Sequence, residues 1–244
     1  MSLEILRKKG LFKTKQIWFA DYPYDVKGVD RVIFRDCKNK ADVSGFTCEK
    51  ITTLIIDLTQ NINLIWKNMS SGNCQKPIKR AERAGIKIKI NQGYDEFYYL
   101  YKLVRETKSL DKPLKLSDIK KYATLFVAEL DGKIISGHGY LKDDKNMRSW
   151  VIGSKRFNLN GDRATMVANA GKLIIWEAMK YAKNSGIEEF DFGGYYMGDK
   201  KDLQKEKINF FKKSFGGELT AHYNYRKDYS KIFNFVTKIY YKLK

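Results

Sequence analysis

A segment near residue 190 gives the clearest alternation of apolar and polar positions in the chain. In residues 189–192 (EFDF) acidic and aromatic side chains alternate, which is typical of a strand with one buried face. The glycines at 193–194 predict the end of this strand, since glycine adopts backbone angles that other residues avoid. A charged helix follows; it is predicted to stop at the glycines 216–217, before a return strand over 218–225.

The helix between these glycine pairs mixes apolar residues with lysines. At about 100° per residue, three apolar residues share one face, namely Ile208, Phe211 and Phe215. Lys212 falls among them, while Lys213 points toward the solvent side. Leu203 and Phe210 lie opposite, so we expect the helix to be covered on more than one face. Lys212 is then either a lysine whose ammonium reaches water, or a cation held for an anionic group or a developing oxyanion.

The rest of the chain gives a β-rich start followed by helices around a β-meander. The predicted strands are 16–21, 31–35, 52–58, 86–90, 125–130, 133–141 and 148–154. The predicted helices are 62–69, 77–85, 94–109, 117–124 and 160–184. Asp131-Gly132 predicts a tight hairpin within the meander.

Two of these patterns together resemble a known family. The residues that carry the resemblance are Asp191, Phe192, Gly193, Gly194, Phe211, Lys212, Phe215, Gly216 and Gly217. A strand with D-F-G-G, a loop, and a helix ending in F-K-x-x-F-G-G is similar to the C-terminal part of the FemABX aminoacyltransferases and related GNAT-fold acyltransferases. The resemblance implies an α+β fold, with a GNAT-like mixed sheet flanked by helices, and an acyltransferase activity.

A weak internal repeat bears on the domain organisation. Leu54 and the basic pair 79–80 are matched by Ile187 and the basic pair 212–213, both at an offset of 133 (187 minus 54, 212 minus 79). FemABX proteins are built from two GNAT-like domains, but the first half of this chain is too short for a whole one. We therefore expect a truncated N-terminal GNAT-like half-domain over 1–90, a GNAT-like acyltransferase domain over 91–228 and a basic amphipathic helix over 229–244.

Composition adds a strong positive charge to an otherwise ordinary globular chain. Its 244 residues include 47 Lys and Arg against 28 Asp and Glu, a net charge of +19. The segment 67–90 carries a net +6 and the segment 199–244 a net +7. Such clusters suit a phosphate-rich partner, whether nucleic acid, nucleotide cofactor or anionic membrane, or else form a solvated lysine-rich surface. The C-terminal helix either docks on the core or lies on such a membrane or RNA.

Cysteine and histidine content argues against a metal centre. Cys37, Cys48 and Cys74 are odd in number and lack metal-ligand spacing, and the only histidines are His138 and His222. We therefore expect no metal, and a reduced, cytoplasmic setting. No apolar run approaches membrane-spanning length, so contact with the inner face of a membrane would be peripheral.

Two further groups are candidates for substrate binding. Lys79, Arg80 and Arg83 lie on one predicted helix, where they form either an anion site or a basic surface. They are candidates for the phosphates of a nucleotide-linked or lipid-linked acceptor. His138 sits between two glycines, either as a satisfied strand histidine or as a base that touches substrate.

The start of the long helix bears on the acyl donor. In acetyl-CoA-dependent GNAT enzymes this helix begins with Q/R-x-x-G-x-G/A, whose amides hold the pyrophosphate. Residues 158–167 offer only Gly161 and Arg163, and Asp162 has the wrong charge. Family members that use aminoacyl-tRNA lack this loop. The resemblance therefore favours aminoacyl-tRNA over acyl-CoA as donor, and tRNA as a partner.

The resemblance implies a transferase of the peptidoglycan-bridge type, which joins an activated acyl or aminoacyl group to an amine of a cell-envelope or amino-sugar precursor. Lys212 would contact the oxyanion or a phosphate, and Phe211 would line the part of the site that holds the acyl group or the adenosine. Asp191, Tyr195 and Tyr196 are candidates for acceptor contact or proton relay, although Asp191 has the alternative of capping the glycine turn. Two alternative functions remain: an acyl-CoA-dependent GNAT acyltransferase for an amino sugar or small amine, and a catalytically idle GNAT-like module that binds RNA or anionic membrane.

Overall fold

A computed structural model describes residues 2–233, 235 and 237. The strands in chain order are β1 (Leu3–Lys9), β2 (Phe12–Trp18), β3 (Arg31–Cys37), β4 (Thr47–Asp57), β5 (Lys87–Ile90), β6 (Thr124–Leu130), β7 (Lys133–Lys142), β8 (Asn146–Ser154), β9 (Glu189–Gly194) and β10 (Glu218–Asp228). The α-helices are α1 (Ile62–Asn68), α2 (Lys76–Arg83), α3 (Tyr94–Thr107), α4 (Leu116–Tyr122), α5 (Gly161–Asn184) and α6 (Leu203–Lys213). A π-helical turn (Ser71–Gln75) leads into α2, and a 3₁₀ turn (Lys155–Asn158) precedes α5.

The structure differs from the sequence prediction mainly at the start of the chain. Strand β1 was not predicted, because its sequence LEILRKK lacks a sustained alternation. It forms by antiparallel pairing with β2, from Leu3 opposite Trp18 to Lys9 opposite Phe12. Strand β4 begins at Thr47, five residues before its predicted start at 52. Tertiary pairing has therefore overridden local pattern in these strands.

The predicted C-terminal helix over 229–244 lies mostly outside the described residues. Residues 231–233 are helical. The Phe233 amide donates to Ser230 Oγ at 3.1 Å, which places Ser230 where a helix cap belongs.

The chain forms two compact units. The terminal unit comprises residues 1–53 and 220–244, and the central unit comprises residues 54–219. The unit boundaries fall within β4 and at the start of β10, so both strands contribute residues to both units. The predicted boundary after residue 90 falls inside the central unit, between β5 and α3.

The terminal unit is built on a mixed sheet. Its strands follow the order β1-β2-β3-β10-β4, with β2 and β3 parallel and β3 and β10 antiparallel. Its core is formed by buried side chains from β2, β3 and β10, among them Ile17, Phe34 and Tyr225. The Tyr225 hydroxyl accepts from the Ala41 amide at 2.6 Å and donates to the Asn39 carbonyl at 3.3 Å. One buried tyrosine thus satisfies two backbone groups of the loop after β3.

The central unit is built on mixed β-structure with helices on both faces. Its strands follow the order β4-β9-β8-β7-β6-β5. Side chains along β6 alternate between two cores, as expected from the period of two in a strand. Phe126 and Ala128 pack in the core that includes α5, whereas Leu125 and Val127 pack in the core that includes α3. Both faces of the sheet are therefore buried, which explains the nearly continuous apolar run of β6.

Among the described residues, no helix is both long and apolar enough to cross a membrane.

Helix α3 packs so closely on β8 that Gly153 has no room for a side chain. A Cβ at Gly153 would lie 2.9 Å from the Tyr101 amide nitrogen and 3.1 Å from the Phe97 carbonyl oxygen. These are backbone atoms, so the helix itself would have to move. We predict that Gly153→Ala lowers the free energy of unfolding by about 1–3 kcal/mol, the usual cost of overpacking a core.

The control is Gly72→Ala, where a Cβ would meet nothing within 4 Å. Its effect on the free energy of unfolding, measured by urea denaturation, should stay within about 0.5 kcal/mol. Equal stability of the two variants would contradict the close packing of α3 on β8.

Candidate active site

Strands β8 and β9 pair only at their beginnings and then form a fork. They run parallel over three register pairs, Asn146–Glu189, Met147–Phe190 and Arg148–Asp191. Beyond the last pair, β8 continues to Ser154 and β9 to Gly194 without further pairing to each other. Unpaired strand edges can hydrogen-bond an extended ligand. The fork therefore leaves strand edges with backbone groups that a ligand could hydrogen-bond.

A buried ion pair closes the base of the fork. Arg148 Nη1 donates to Asp191 Oδ2, and both side chains are largely buried. The other oxygen of Asp191 accepts from the Gly193 amide at 2.6 Å. Asp191 therefore joins β8 to the turn that ends β9. This geometry supports the capping role for Asp191, the alternative that the sequence left open.

Lys212 reaches the end of β9 from helix α6. Its Nζ donates to the Gly193 carbonyl at 3.1 Å and to the Gly194 carbonyl at 2.5 Å. Gly193 has a φ of +79°, a backbone conformation that is strained for residues with a side chain. The first glycine of the D-F-G-G pattern is therefore required by the turn that ends β9. An ammonium has three N–H donors, so Lys212 keeps one donor for a ligand after its two carbonyl contacts.

The environment of Lys212 weakens its hold on its proton. The pKa of Lys212 is lowered from 10.5 to about 8, mainly by burial; Asp191 opposes this shift and Arg148 adds to it. At neutral pH the lysine is still mostly protonated. A half-desolvated cation beside strand ends is suited to stabilise a phosphate or a developing oxyanion.

The loop between β9 and α6 is held by a residue that sequence reasoning missed. Asn209, buried on α6, donates to the Tyr196 carbonyl at 2.8 Å and accepts from the Tyr196 amide at 3.0 Å. The Tyr196 hydroxyl donates to the Lys200 carbonyl at 2.7 Å. Tyr195 is half-buried and packs against the main core. A polar residue one turn before Lys212 was the available signal for Asn209, and Arg148 was marked only by its charge within a buried strand.

Helix α6 begins and ends as its sequence dictates. Asp202 caps it by accepting from the amides of Gln204 and Lys205, each at 3.1 Å. Gly216 and Gly217, with φ of +83° and +86°, turn the chain toward β10. A Cβ at Gly217 would lie 2.5 Å from the Ile55 carbonyl oxygen, so this turn also needs glycine for space.

The prediction that α6 is covered on more than one face is wrong. Phe215 is buried and Phe211 half-buried against the core, with their ring centroids 5.4 Å apart. Ile208, Leu203 and Phe210 are exposed. The helix therefore buries one narrow face near Lys212 and Asn209 and presents Leu203 and Phe210 on the other. Ile208 is exposed although it lies on the same side as Phe211.

His138 lies in the interior on β7, and the contacts of its ring are with residues other than Lys212. The Tyr140 hydroxyl is 3.4 Å from its Nδ1, and a Cβ at Gly171 of α5 would be 3.7 Å from its Nε2. Burial lowers the pKa of His138 to about 4, so the imidazole is neutral at pH 7. These contacts support the interpretation of His138 as a buried strand residue whose polar atoms are satisfied, rather than as a base that touches substrate.

The basic residues Lys79, Arg80 and Arg83 are all exposed on α2. Lys79 Nζ lies 5.9 Å from the centre of the Trp66 ring. The structure therefore places these cations on a surface rather than in a pocket, and their role in phosphate binding stays a prediction.

With this geometry in place, comparison with known proteins identifies the fold. Residues 110–201 match the family model described as an acetyltransferase (GNAT) domain, a stretch that includes β8, α5 and β9. The central unit has a GNAT fold. This match confirms the prediction of a GNAT-like acyltransferase.

Solved structures extend the likeness beyond the matched domain. FemX covers 96% of this chain and 85% of its own, with 13% identity and a TM-score of 0.67. L-PGS from Bacillus licheniformis covers 96% and 84%, with 13% identity and a TM-score of 0.55. The C-terminal domain of a protein assigned as a lysylphosphatidylglycerol synthetase, from Agrobacterium fabrum, covers 93% and 81%, with 12% identity and a TM-score of 0.55. The predicted resemblance to FemABX proteins is confirmed at the level of the fold. No curated protein matches the sequence.

The buried pair at the fork gives a stability prediction. Asp191→Ala would remove the carboxylate of the buried Arg148–Asp191 pair and its bond to the Gly193 amide, and breaking a buried ion pair from one side typically costs about 3–5 kcal/mol. We expect a loss of that size in the free energy of unfolding, measured by urea denaturation.

The control is Glu188→Ala, which removes an exposed ion pair with Lys145 (3.2 Å) next to the same strand. Exposed pairs contribute less than about 1 kcal/mol, so this variant should stay close to wild type. A similar loss in both variants would show that the Arg148–Asp191 pair does not support the fork.

Proposed function

We propose that this chain is an aminoacyltransferase that moves an aminoacyl group from aminoacyl-tRNA to an amine of a cell-envelope precursor. The observation that carries the proposal is Lys212, a half-buried cation that the Gly193 and Gly194 carbonyls hold at the end of β9. A fixed cation in this place suits a reaction in which negative charge develops on a carbonyl oxygen.

The proposed reaction needs few groups from the protein. The acceptor nitrogen attacks the carbonyl carbon of the aminoacyl ester, so that a C–N bond forms and the ester C–O bond breaks. The tRNA ribose oxygen leaves and takes up a proton, and the attacking nitrogen loses one. Lys212 would donate its remaining N–H to the oxyanion or to the adjacent phosphate. Phe211 would line the acyl or adenosine end of the site.

The start of α5 supports an aminoacyl-tRNA donor. The first turn of this helix contains Asp162, whose carboxylate would repel the pyrophosphate of coenzyme A. The positive charge of the whole chain, +19, also suits an RNA donor. Aminoacyl transfer is compatible with this fold, since the Agrobacterium fabrum protein is named for attaching lysine to phosphatidylglycerol.

One observation favours acyl-CoA as a second candidate donor. The side chain of Asn160 makes no capping bond to α5, and Gly161 after it has a φ of +58°, which leaves the helix start open. Lys155 and Arg156 lie in the preceding turn. Backbone amides with nearby cations can hold phosphates, although here Asp162 opposes them. The open helix start therefore keeps acyl-CoA as a candidate donor, but Asp162 makes it a weaker candidate than aminoacyl-tRNA.

The donor is tested by transfer of label to a panel of soluble primary amines. We expect label to pass from bulk tRNA charged with a mixture of radioactive amino acids, and not from radioactive acetyl-CoA. Lys212→Ala should lower kcat by about 10²–10³, the usual cost of losing an oxyanion donor. The matched control is Lys213→Ala, which removes the same charge from an exposed neighbouring position and should leave kcat nearly unchanged.

Each alternative has its own outcome in this assay. Transfer from acetyl-CoA alone would make the acyl-CoA enzyme the better account. If Lys212→Ala and Lys213→Ala lower the rate of transfer equally, Lys212 has no specific role in the reaction. No turnover with either donor, together with salt-sensitive RNA binding, would favour the idle binding module.

A further inference from the structure

A patch of exposed apolar side chains lies on the outer face of α6 and on the loop before it. Three of its side chains are more than half exposed, namely Met197 (63%), Leu203 (60%) and Phe210 (64%). We call these three the outer patch. Leu203 and Phe210 are seven residues apart, so they lie on one face of α6 about two turns from each other. Lys212 is nine residues from Leu203, which places it on the opposite face.

The segment that carries the outer patch is rich in lysine. Residues 197–213 contain six lysines and three carboxylates, a net charge of +3. Five of the lysines are exposed, namely Lys200, Lys201, Lys205, Lys207 and Lys213. Lys205 is bound to Asp202 at 3.1 Å and lies over the Tyr196 ring, and Lys212 points inward. The outer patch is therefore an apolar surface in a segment of net positive charge, in which Glu206 lies on the same face as Leu203 and Phe210.

We propose that the outer patch docks on an anionic lipid bilayer. Apolar side chains in a lysine-rich segment suit the boundary between headgroups and acyl chains, where the lysines meet lipid phosphates. A second copy of the chain is a poorer occupant, because a symmetric contact through this face would bring lysines against lysines. Docking would place the membrane beside the helix that carries Lys212. An acceptor held at the lipid surface would then be near the proposed site.

The test is co-sedimentation with lipid vesicles of two compositions: phosphatidylcholine alone, and phosphatidylcholine with about one third phosphatidylglycerol. We expect the wild-type protein to partition at least about tenfold more strongly to the anionic vesicles. Leu203→Asp with Phe210→Asp should lower this partitioning at least about tenfold, because two anchors are lost and two negative charges added. Circular dichroism would confirm that the double variant is folded.

A matched control separates the outer patch from the general charge of the chain. Tyr99→Asp with Leu110→Asp replaces one aromatic and one leucine that are also exposed, at 63% and 52%. It makes the same change in net charge, so it should bind anionic vesicles within about twofold of wild type. Equal losses in the two double variants would mean diffuse electrostatic binding and would overturn the proposal. A wild-type dimer that Leu203→Asp with Phe210→Asp makes monomeric would assign the outer patch to a second copy instead.

Docking is measured without any turnover, so it can fail separately from the proposed function. Transfer to a soluble amine should be unaffected by the double substitution in the outer patch. If transfer is absent in every variant while vesicle binding follows the outer patch, the docking stands and the proposed chemistry falls. If transfer is intact and the wild-type protein binds neither kind of vesicle, only the proposal of membrane docking is wrong.

Discussion

The ion pair between Arg148 and Asp191 sits where strands β8 and β9 stop pairing, and the arrangement of the site follows from it. Asp191 ties the Gly193 amide to the base of the fork, and the Gly193 and Gly194 carbonyls then receive Lys212. Burial lowers the pKa of Lys212, the nearby carboxylate of Asp191 opposes this shift, and the nearby guanidinium of Arg148 adds to it. The charges of strand, turn and helix are thus coupled within a few residues.

Helix α6 joins two different surfaces. Its inner face carries Lys212 and Asn209, which hold the end of β9 and the loop after it. Its outer face presents apolar side chains among lysines. Such a helix needs few core contacts of its own, since Asp202 caps its start and Phe215 anchors its end. A proposed lipid surface and a proposed reaction centre would then lie on opposite sides of one element.

Sequence patterns predicted the elements around the site well, because strand alternation and paired glycines are local signals. The D-F-G-G turn and the inward position of Lys212 both followed from spacing of that kind. What local pattern could not show was partnership across the chain. Arg148 lies 43 residues from Asp191, and the exposure of Phe210 depends on which elements pack against α6. Strand β1 was missed for the same reason, since it forms by pairing with β2.

The central claim is that Lys212 is a desolvated cation fixed at the end of β9. The most direct test is NMR titration of lysine side-chain resonances in labelled protein, with Lys212→Arg used to assign the signal. The claim predicts a midpoint near pH 8 for Lys212. Titration at the ordinary lysine value of about 10.4 would show an ammonium in open water and would contradict the account.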